Sequence, residues 1–181
     1  GLPIHQAENT QYKGDKWFFD EFADRDPRLY DNVDPAGLRI EGSGVVAYAA
    51  TGYFAHLFVN PSLLNVPGGM SSTNITDAPV MKYNEVLMNY IEAAAELADM
   101  GAYTLTQSDF DKTINAVRNR PSTSMPAVTL AGTNLAVNGI TINDPDRDKG
   151  TMIAGDYEVS PILWEVRRER RTELPYQGIR F

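Results

Sequence analysis

The residues with the most distinctive spacing for chemistry are the carboxylates of the turn 143–148. Asp144, Asp146 and Asp148 occupy alternate positions there, and oxygen ligands at alternate positions are characteristic of Ca²⁺ loops. An EF-hand loop also needs a glycine at its sixth position and a distal glutamate, both of which are missing, and Arg147 brings a positive charge into the turn. The pattern therefore favours a solvated turn, with a Ca²⁺ site as the weaker alternative.

Few residues are suited to catalysis. The chain has no cysteine, which excludes disulfides, thiolate nucleophiles and thiolate metal sites. Of the two histidines, His56 stands in an apolar, aromatic stretch and is interpreted as a core residue. The carboxylates are numerous enough for a glycosidase pair, but no pair is marked out by its context, and no nucleophile–base motif or glycine-rich phosphate loop is present. The sequence predicts neither an enzyme nor a cofactor.

Aromatic side chains outside the predicted helices are the best candidates for ligand binding. Proteins bind sugars by stacking aromatic rings on the apolar faces of pyranoses, while amides and carboxylates bind the hydroxyls. Packing in the interior remains the alternative for every one of these side chains. The candidate ligand residues are Trp17, Tyr12, Tyr30, Tyr48 and Tyr53.

Composition limits the classes of partner. The 181 residues are 43% hydrophobic and 22% charged, which is ordinary for a globular protein with a sizeable core. A formal net charge of −8 argues against nucleic-acid binding, which depends on neutralising phosphates. No apolar run approaches the roughly 20 residues that a membrane-spanning helix needs.

The elements that must position these residues are mainly helical. Residues 1–79 are predicted to be loop-rich with short strands between Gly42 and Val59, and residues 80–121 to form a helix hairpin. Loops and a β-hairpin at Asn138-Gly139 follow over 122–159, then a helix over 160–174 and a tail over 175–181. The hairpin has the format of a tetratricopeptide-like unit.

The first helix of the hairpin shows an apolar arc at about 100° per residue. Met88 falls on the opposite, mostly polar arc, and Gly101 is placed to end the helix as a C-terminal cap. A second helix is predicted to start near Thr106 or Ser108 and to stop at Pro121. The side chains expected to face the core from the first helix are Tyr83, Val86, Leu87, Tyr90, Ile91, Ala94, Leu97 and Ala98.

The helix 160–174 carries four arginines within five residues. Helical angles place Arg170 and Glu173 on its apolar arc, whereas Glu165, Arg168 and Arg171 face away. A charge on an apolar face must be paired, because burying it alone costs several kcal/mol, and the i, i+3 spacing allows these two to partner each other. We interpret Arg170 and Glu173 as a structural ion pair that joins this helix to its neighbours. The interleaved glutamates disfavour the alternative of an anion site.

Several blocks of sequence recur in a characteristic order and spacing. They are DRDPRL at 24–29, TGY at 51–53, PVMKYNEVLMNYIEA at 79–93, INAVRNR at 114–120, SPILWEVRRERRTEL at 160–174 and GIRF at 178–181. No single block is decisive, but together they span nearly the whole chain. In this order they resemble the SusD/RagB family of nutrient-binding outer-membrane lipoproteins.

The resemblance implies a surface-exposed lipoprotein of Bacteroidetes-type bacteria, with no catalytic activity. Members bind glycans or other nutrients and form a lid on a SusC-like, TonB-dependent outer-membrane transporter. Their fold is mainly α, with tetratricopeptide-like helix pairs that support a loop-rich ligand region. The matched blocks belong to the C-terminal part of such proteins, so the fold is expected to be incomplete. The lipidated N-terminal cysteine, through which alone the membrane would be contacted, is expected to lie outside this chain.

Three functional hypotheses follow, and the sequence ranks them. The first is non-catalytic binding of an oligosaccharide or similar nutrient and its delivery to the transporter. The second is a helical-repeat interaction scaffold that has no small ligand of its own. The third is a glycan-cleaving enzyme. No family motif fixes the ligand residues, and the sequence does not identify the nutrient.

Overall fold

The computed structural model describes residues 27–28, 33–34, 54–55, 79–143 and 159–174. The chain divides into two compact units, residues 1–80 and residues 81–181. In the first unit, strand β1 (Val33–Asp34) pairs antiparallel with β2 (Phe54–Ala55), so that Val33 lies opposite Ala55. Strand β2 falls in the stretch where short strands are predicted, and Arg28 of the same unit is buried.

The second unit is mainly α-helical with a small antiparallel sheet, as the sequence predicts. Helix α1 packs along α4, the short helices α2 and α3 close one side, and the sheet lies against α2 and α4. The elements in chain order are α1 (Tyr83–Asp99), α2 (Gln107–Lys112), α3 (Ile114–Arg118), β3 (Val128–Ala131), β4 (Asn134–Val137), β5 (Ile140–Thr141) and α4 (Pro161–Glu173).

The core-facing side of α1 differs from the prediction. Met88, which was assigned to the polar arc, is fully buried with Ile91 and Ala95. Tyr83, which was expected in the core, is 76% exposed, and Val86, Tyr90 and Leu97 are exposed as well. The helix carries apolar side chains on two sides. The side with Met88 and Ala95 is buried, whereas the side with the tyrosines is exposed. The predicted arc was therefore wrong for these residues.

The C-terminus of α1 forms a Schellman motif around Gly101. The Gly101 N–H donates to the Ala98 carbonyl at 2.9 Å, and the Ala102 N–H donates to the Leu97 carbonyl at 2.8 Å. Gly101 has a φ of +72°, which a glycine adopts without the steric cost that a Cβ would bring. The predicted cap is confirmed.

The predicted second helix is broken in two. Thr113 separates α2 from α3 with φ −121° and ψ −91°, and its hydroxyl donates to the Asp109 carbonyl at 2.5 Å. A threonine hydroxyl that binds a carbonyl four residues back competes with the helical backbone bond at that point. Helix α3 ends at Arg118, before Pro121.

The sheet has the strand order β3-β4-β5, with Leu130 opposite Leu135 and Val137 opposite Ile140. Asn138 and Gly139 connect β4 to β5 with φ values of +52° and +77°. A two-residue turn with both φ values positive matches the right-handed twist of the flanking strands. The predicted hairpin is present and is extended by β3 into three strands.

Helix α4 begins as predicted. The Ser160 hydroxyl accepts a hydrogen bond from the Leu163 N–H at 3.1 Å, and Pro161 occupies the first turn, where its missing N–H costs nothing. Glu165 was expected on the solvated face but is buried. Arg168 makes this burial tolerable, because its guanidinium lies 2.6 Å from the Glu165 carboxylate. Among the described residues, no helix combines the length and the apolar character that crossing a membrane requires.

Candidate functional site

The residues predicted to bind ligand lie outside the described part of the chain. This applies to Trp17, Tyr12, Tyr30, Tyr48 and Tyr53, to the acidic turn with Asp144, Asp146 and Asp148, and to His56. Their roles remain predictions. What the structure describes is the framework of the second unit, which contains three groups of polar side chains that bind one another.

The first group consists of the ion pairs that α4 makes with neighbouring segments. Two arginines of α4 form an ionic ladder with α1. Arg167 lies 2.9 Å from the Glu96 carboxylate and 3.6 Å from that of Glu92. Arg170 lies 3.2 Å from Glu92 and donates to the Asn89 side-chain oxygen at 2.6 Å. Two arginines one turn apart on α4 thereby bind Asn89, Glu92 and Glu96 of α1. This ladder fixes the register of the two helices.

Glu173 takes its partners from two other segments. The Arg120 guanidinium donates to both of its oxygens, at 2.8 and 3.0 Å, and Asn84 donates to it at 2.6 Å. A two-pronged guanidinium–carboxylate contact is among the strongest and most directional of protein hydrogen bonds. The predicted pairing of Arg170 with Glu173 was therefore wrong, because Arg170 binds Glu92 of α1 and Glu173 binds Arg120 just beyond α3. Both residues nevertheless join α4 to neighbouring segments, as expected.

The most deeply buried ion pair is one that sequence reasoning missed. The Arg118 Nε lies 3.2 Å from the Glu169 Oε1, and both side chains are almost fully buried. Arg118 also donates to the Pro126 carbonyl at 2.9 Å. A signal was available, because Arg118 follows Ile114 by four residues and therefore lies on the apolar face of its helix. Ile114 and Val117 of the same helix are buried as well.

The second group centres on the Asp109 carboxylate. One oxygen accepts from the Tyr90 and Tyr103 hydroxyls at 3.1 and 3.0 Å. The other accepts from the Thr106 backbone N–H and hydroxyl at 2.8 and 2.7 Å. This is a capping arrangement at the start of α2, and it ties α1 to the segment that follows it.

Titration of this group reflects the same contacts. Burial by itself would raise the pKa of Asp109, but the hydrogen bonds from Thr106, Tyr103 and Tyr90 together lower the pKa below its ordinary value. Hydrogen bonding with Tyr90, followed by that to Asp109, raises the pKa of Tyr103 to about 12. Tyr103 therefore stays protonated as a donor, and the Asp109 carboxylate stays charged as its acceptor, across the neutral range.

The third group covers the free edge of strand β3. The Asn115 side chain accepts from the Val128 N–H at 2.7 Å and donates to its carbonyl at 2.9 Å. Gln107 accepts from the Leu130 N–H at 2.7 Å. Asp111 accepts from both amides, and these hydrogen bonds lower its pKa. Two helix side chains thus replace a neighbouring strand, which protects an edge that would otherwise be open to pairing.

These three groups stabilise a framework and do not form a reactive centre. The carboxylates of Glu169, Glu173 and Asp109 are held by guanidinium groups or hydroxyls. No set of three or more histidine, aspartate or glutamate residues able to hold a metal ion occurs among the residues the structure describes. The described residues of the second unit thus form helices packed against a small antiparallel sheet.

Comparison with known proteins identifies the family. The model of the SusD family matches residues 1–181, and the chain belongs to that family. No curated protein and no solved structure matches it. Family membership supports a role in binding nutrients such as glycans, and members are generally non-catalytic.

Proposed function

We propose that this protein captures a glycan or a similar nutrient at the outer surface of the outer membrane and delivers it, without chemical change, to a SusC-like, TonB-dependent transporter. The observation that carries the proposal is the match of the SusD family along all 181 residues. Family members typically are outer-membrane surface lipoproteins that work with SusC-like transporters. The membrane anchor would be an N-terminal lipid.

The described framework supports binding without catalysis. Rigid supports reduce the free energy lost when a ligand orders its site, so a preorganised protein binds more tightly for the same contacts. The arginine–carboxylate cluster of α1, α3 and α4 supplies such rigidity. On this proposal, stacking of Trp17 on a sugar ring provides the main anchor, with Tyr12, Tyr30, Tyr48 and Tyr53 as further candidates.

Calorimetry with a panel of oligosaccharides tests the proposal. We expect one glycan class to bind to the 181-residue chain, and we expect Trp17→Ala to raise its Kd by about tenfold, the loss of one stacking contact. Tyr83→Ala is the matched control, since it removes an exposed aromatic ring from α1 and should leave the Kd unchanged. Equal effects of the two substitutions would remove Trp17 from the site.

Two outcomes would contradict the proposed function itself. Release of new reducing ends from a bound glycan would show an enzyme. A protein that binds no oligosaccharide of the panel but co-purifies tightly with a SusC-like transporter would be an interaction scaffold.

A further inference from the structure

The turn between β4 and β5 combines two groups that can react with each other. Asn138 is the one asparagine in the sequence that is followed by glycine, and Asn138 and Gly139 are both exposed to solvent. The side-chain amide of an asparagine has an electrophilic carbon, Cγ, which forms a five-membered ring if the next backbone nitrogen attacks it. Glycine has no Cβ to obstruct that nitrogen, and open space surrounds the Cα of Gly139.

The backbone of this turn is already close to the geometry that the ring requires. In the ring, Cβ of residue 138 and the nitrogen of residue 139 are nearly eclipsed about the Cα–C bond. That arrangement holds ψ at about −120° in an L residue, and this ψ with a φ of about +60° defines the first central position of a type II′ turn. Asn138 has a φ of +52°, so only the peptide group between the two residues has to rotate.

The hairpin tolerates this rotation. Type I′ and type II′ turns are both two-residue connections that match the twist of the flanking strands. The second central residue changes from a positive φ to about −80°, and Gly139, now at +77°, adopts either value without steric cost. Ring closure is therefore compatible with a folded protein in which β4 and β5 stay paired.

Asn119, which is also exposed, provides a contrast within the same unit. It follows α3 with a φ of −84°, so it lacks the positive φ of the ring-compatible turn. The next nitrogen belongs to Arg120, and its N–H donates to the Val117 carbonyl at 3.3 Å. The side chain of Arg120 also obstructs its nitrogen, as a hydrogen in place of a side chain would not.

We propose that Asn138 is a site of spontaneous modification, at which the Gly139 backbone nitrogen attacks the Asn138 Cγ in the folded protein. The nitrogen loses its proton to a base in the solvent and forms a bond to Cγ. The bond from Cγ to Nδ2 breaks, and the amide group takes a proton from water and leaves as ammonia. The product is a succinimide ring, and the reaction needs no oxidant or reductant.

Water then opens the ring at one of two bonds. Breaking the bond between Cγ and the ring nitrogen gives aspartate. Breaking the bond between the backbone carbonyl carbon and the ring nitrogen gives isoaspartate, in which the main chain continues through Cγ. Either product replaces a neutral amide with a carboxylate, which adds one negative charge to the turn.

The two products differ in their effect on the sheet. Aspartate leaves the main chain unchanged, so Val137 stays opposite Ile140. Isoaspartate inserts one extra carbon into the main chain of a two-residue turn, whose length fixes the register of a hairpin. Beyond β5, the Ile142 N–H donates to the Leu135 carbonyl at 2.8 Å, and Ile142 packs against the core. The isoaspartate form therefore loosens β5 and the Ile142 contact from β4.

Peptide mapping by mass spectrometry of the folded 181-residue chain tests the site. We expect the fragment with Asn138 to lose one ammonia and then gain one water, faster at mildly alkaline than at mildly acidic pH, because the deprotonated nitrogen is the nucleophile. The fragment with Asn119 should stay unchanged in the same sample. Equal conversion of the two fragments would overturn the proposal.

A synthetic peptide with the sequence of residues 134–142 gives the rate without the fold. We expect the rate in the folded chain to lie within about tenfold of it, a difference in barrier of at most about 1.4 kcal/mol. Reaction through global unfolding would be far slower, because the unfolded fraction is about one in a thousand or less. A folded chain that reacts more than about tenfold slower than the peptide would overturn the proposal.

Hydrogen exchange tests the structural consequence. In the isoaspartate form, separated by chromatography, the Ile142 N–H should exchange at least about tenfold faster than in the fresh parent chain. Freshly prepared Asn138→Asp should exchange at the parent's rate. Asn138→Gly keeps a Gly-Gly hairpin turn but has no amide to cyclise, so it should keep its protection after the same storage. Equal protection in the isoaspartate form and in Asn138→Asp, or lost protection in stored Asn138→Gly, would overturn the assignment.

Discussion

Replacing Glu169 with glutamine tests whether the buried arginine cluster holds the second unit together. The substitution keeps the size of the side chain but removes the negative charge that faces Arg118 at 3.2 Å in a site where both are almost fully buried. The remaining guanidinium would be buried without its counter-charge. Breaking a buried pair from one side costs about 3–5 kcal/mol, and we expect the lower end because the glutamine oxygen can still accept one hydrogen bond.

The control is Glu96→Gln, the same change in a pair of lower burial. Glu96 faces Arg167 at 2.9 Å, with about one-third of each side chain exposed. Exposed pairs contribute about 0–1 kcal/mol, so this variant should lose less than about 1 kcal/mol. The two substitutions remove the same charge, so the difference between their losses in the free energy of unfolding measures the effect of burial.

Urea unfolding followed by tryptophan fluorescence provides the measurement. Trp164 is buried in α4, and a Trp17→Phe background makes it the only reporter, since the chain has two tryptophans. We expect the free energy of unfolding to fall by about 3 kcal/mol for Glu169→Gln. Equal losses for Glu169→Gln and Glu96→Gln would refute the reasoning. Combining Arg118→Met with Glu169→Leu should restore most of the loss, because a matched apolar pair leaves no buried charge.

Two further predictions concern the Asp109 carboxylate and the β4–β5 turn. The pKa of Asp109 is lowered in the folded protein from an ordinary value of 3.8. The stability that the charged carboxylate contributes is therefore fully present above pH 3.8, and it is lost as the pH falls through the lowered pKa. Asp109→Asn should therefore lower the free energy of unfolding by about 1–2 kcal/mol at pH 7. Measured by chemical denaturation, this loss should become smaller below about pH 4. A loss that does not change with pH would contradict the prediction. Gly139→Ala should cost about 1 kcal/mol in the same assay, because residue 139 has a φ of +77° with open space around it, and a loss near zero would show that the turn rearranges freely.

The sequence predicted helices and turns well where local chemistry decides them. The start of α4 at Ser160-Pro161, the cap at Gly101 and the hairpin at Asn138-Gly139 each depend on the conformational preferences of one or two residues. The break at Thr113 could not be predicted in the same way. A threonine is common enough within helices, and only the packing of α2 and α3 against different neighbours requires the chain to bend there.

The sequence could predict that buried charged residues of α4 have partners, but it could not predict which residues those partners are. An arginine and a glutamate on the apolar face of α4 must have partners, which is why Arg170 and Glu173 were singled out. Their partners Glu92 and Arg120 lie far away in the sequence, and no spacing rule connects residues on different helices. The prediction that Glu165 faces solvent was wrong because it assumed that one side of α4 is exposed. Neighbouring segments surround α4 on more sides than they would an amphipathic surface helix.

The rotation of α1 relative to the prediction has a physical cause. Periodicity near 100° per residue finds the most hydrophobic arc of a helix, and in α1 that arc contains Tyr83, Val86, Tyr90 and Leu97. The unit instead covers the arc with Met88 and Ala95, because the small and flexible side chains there admit α4 closely while Asn89 and Glu92 reach its arginines. The polar contacts thus determine which of the two apolar sides of α1 packs against α4.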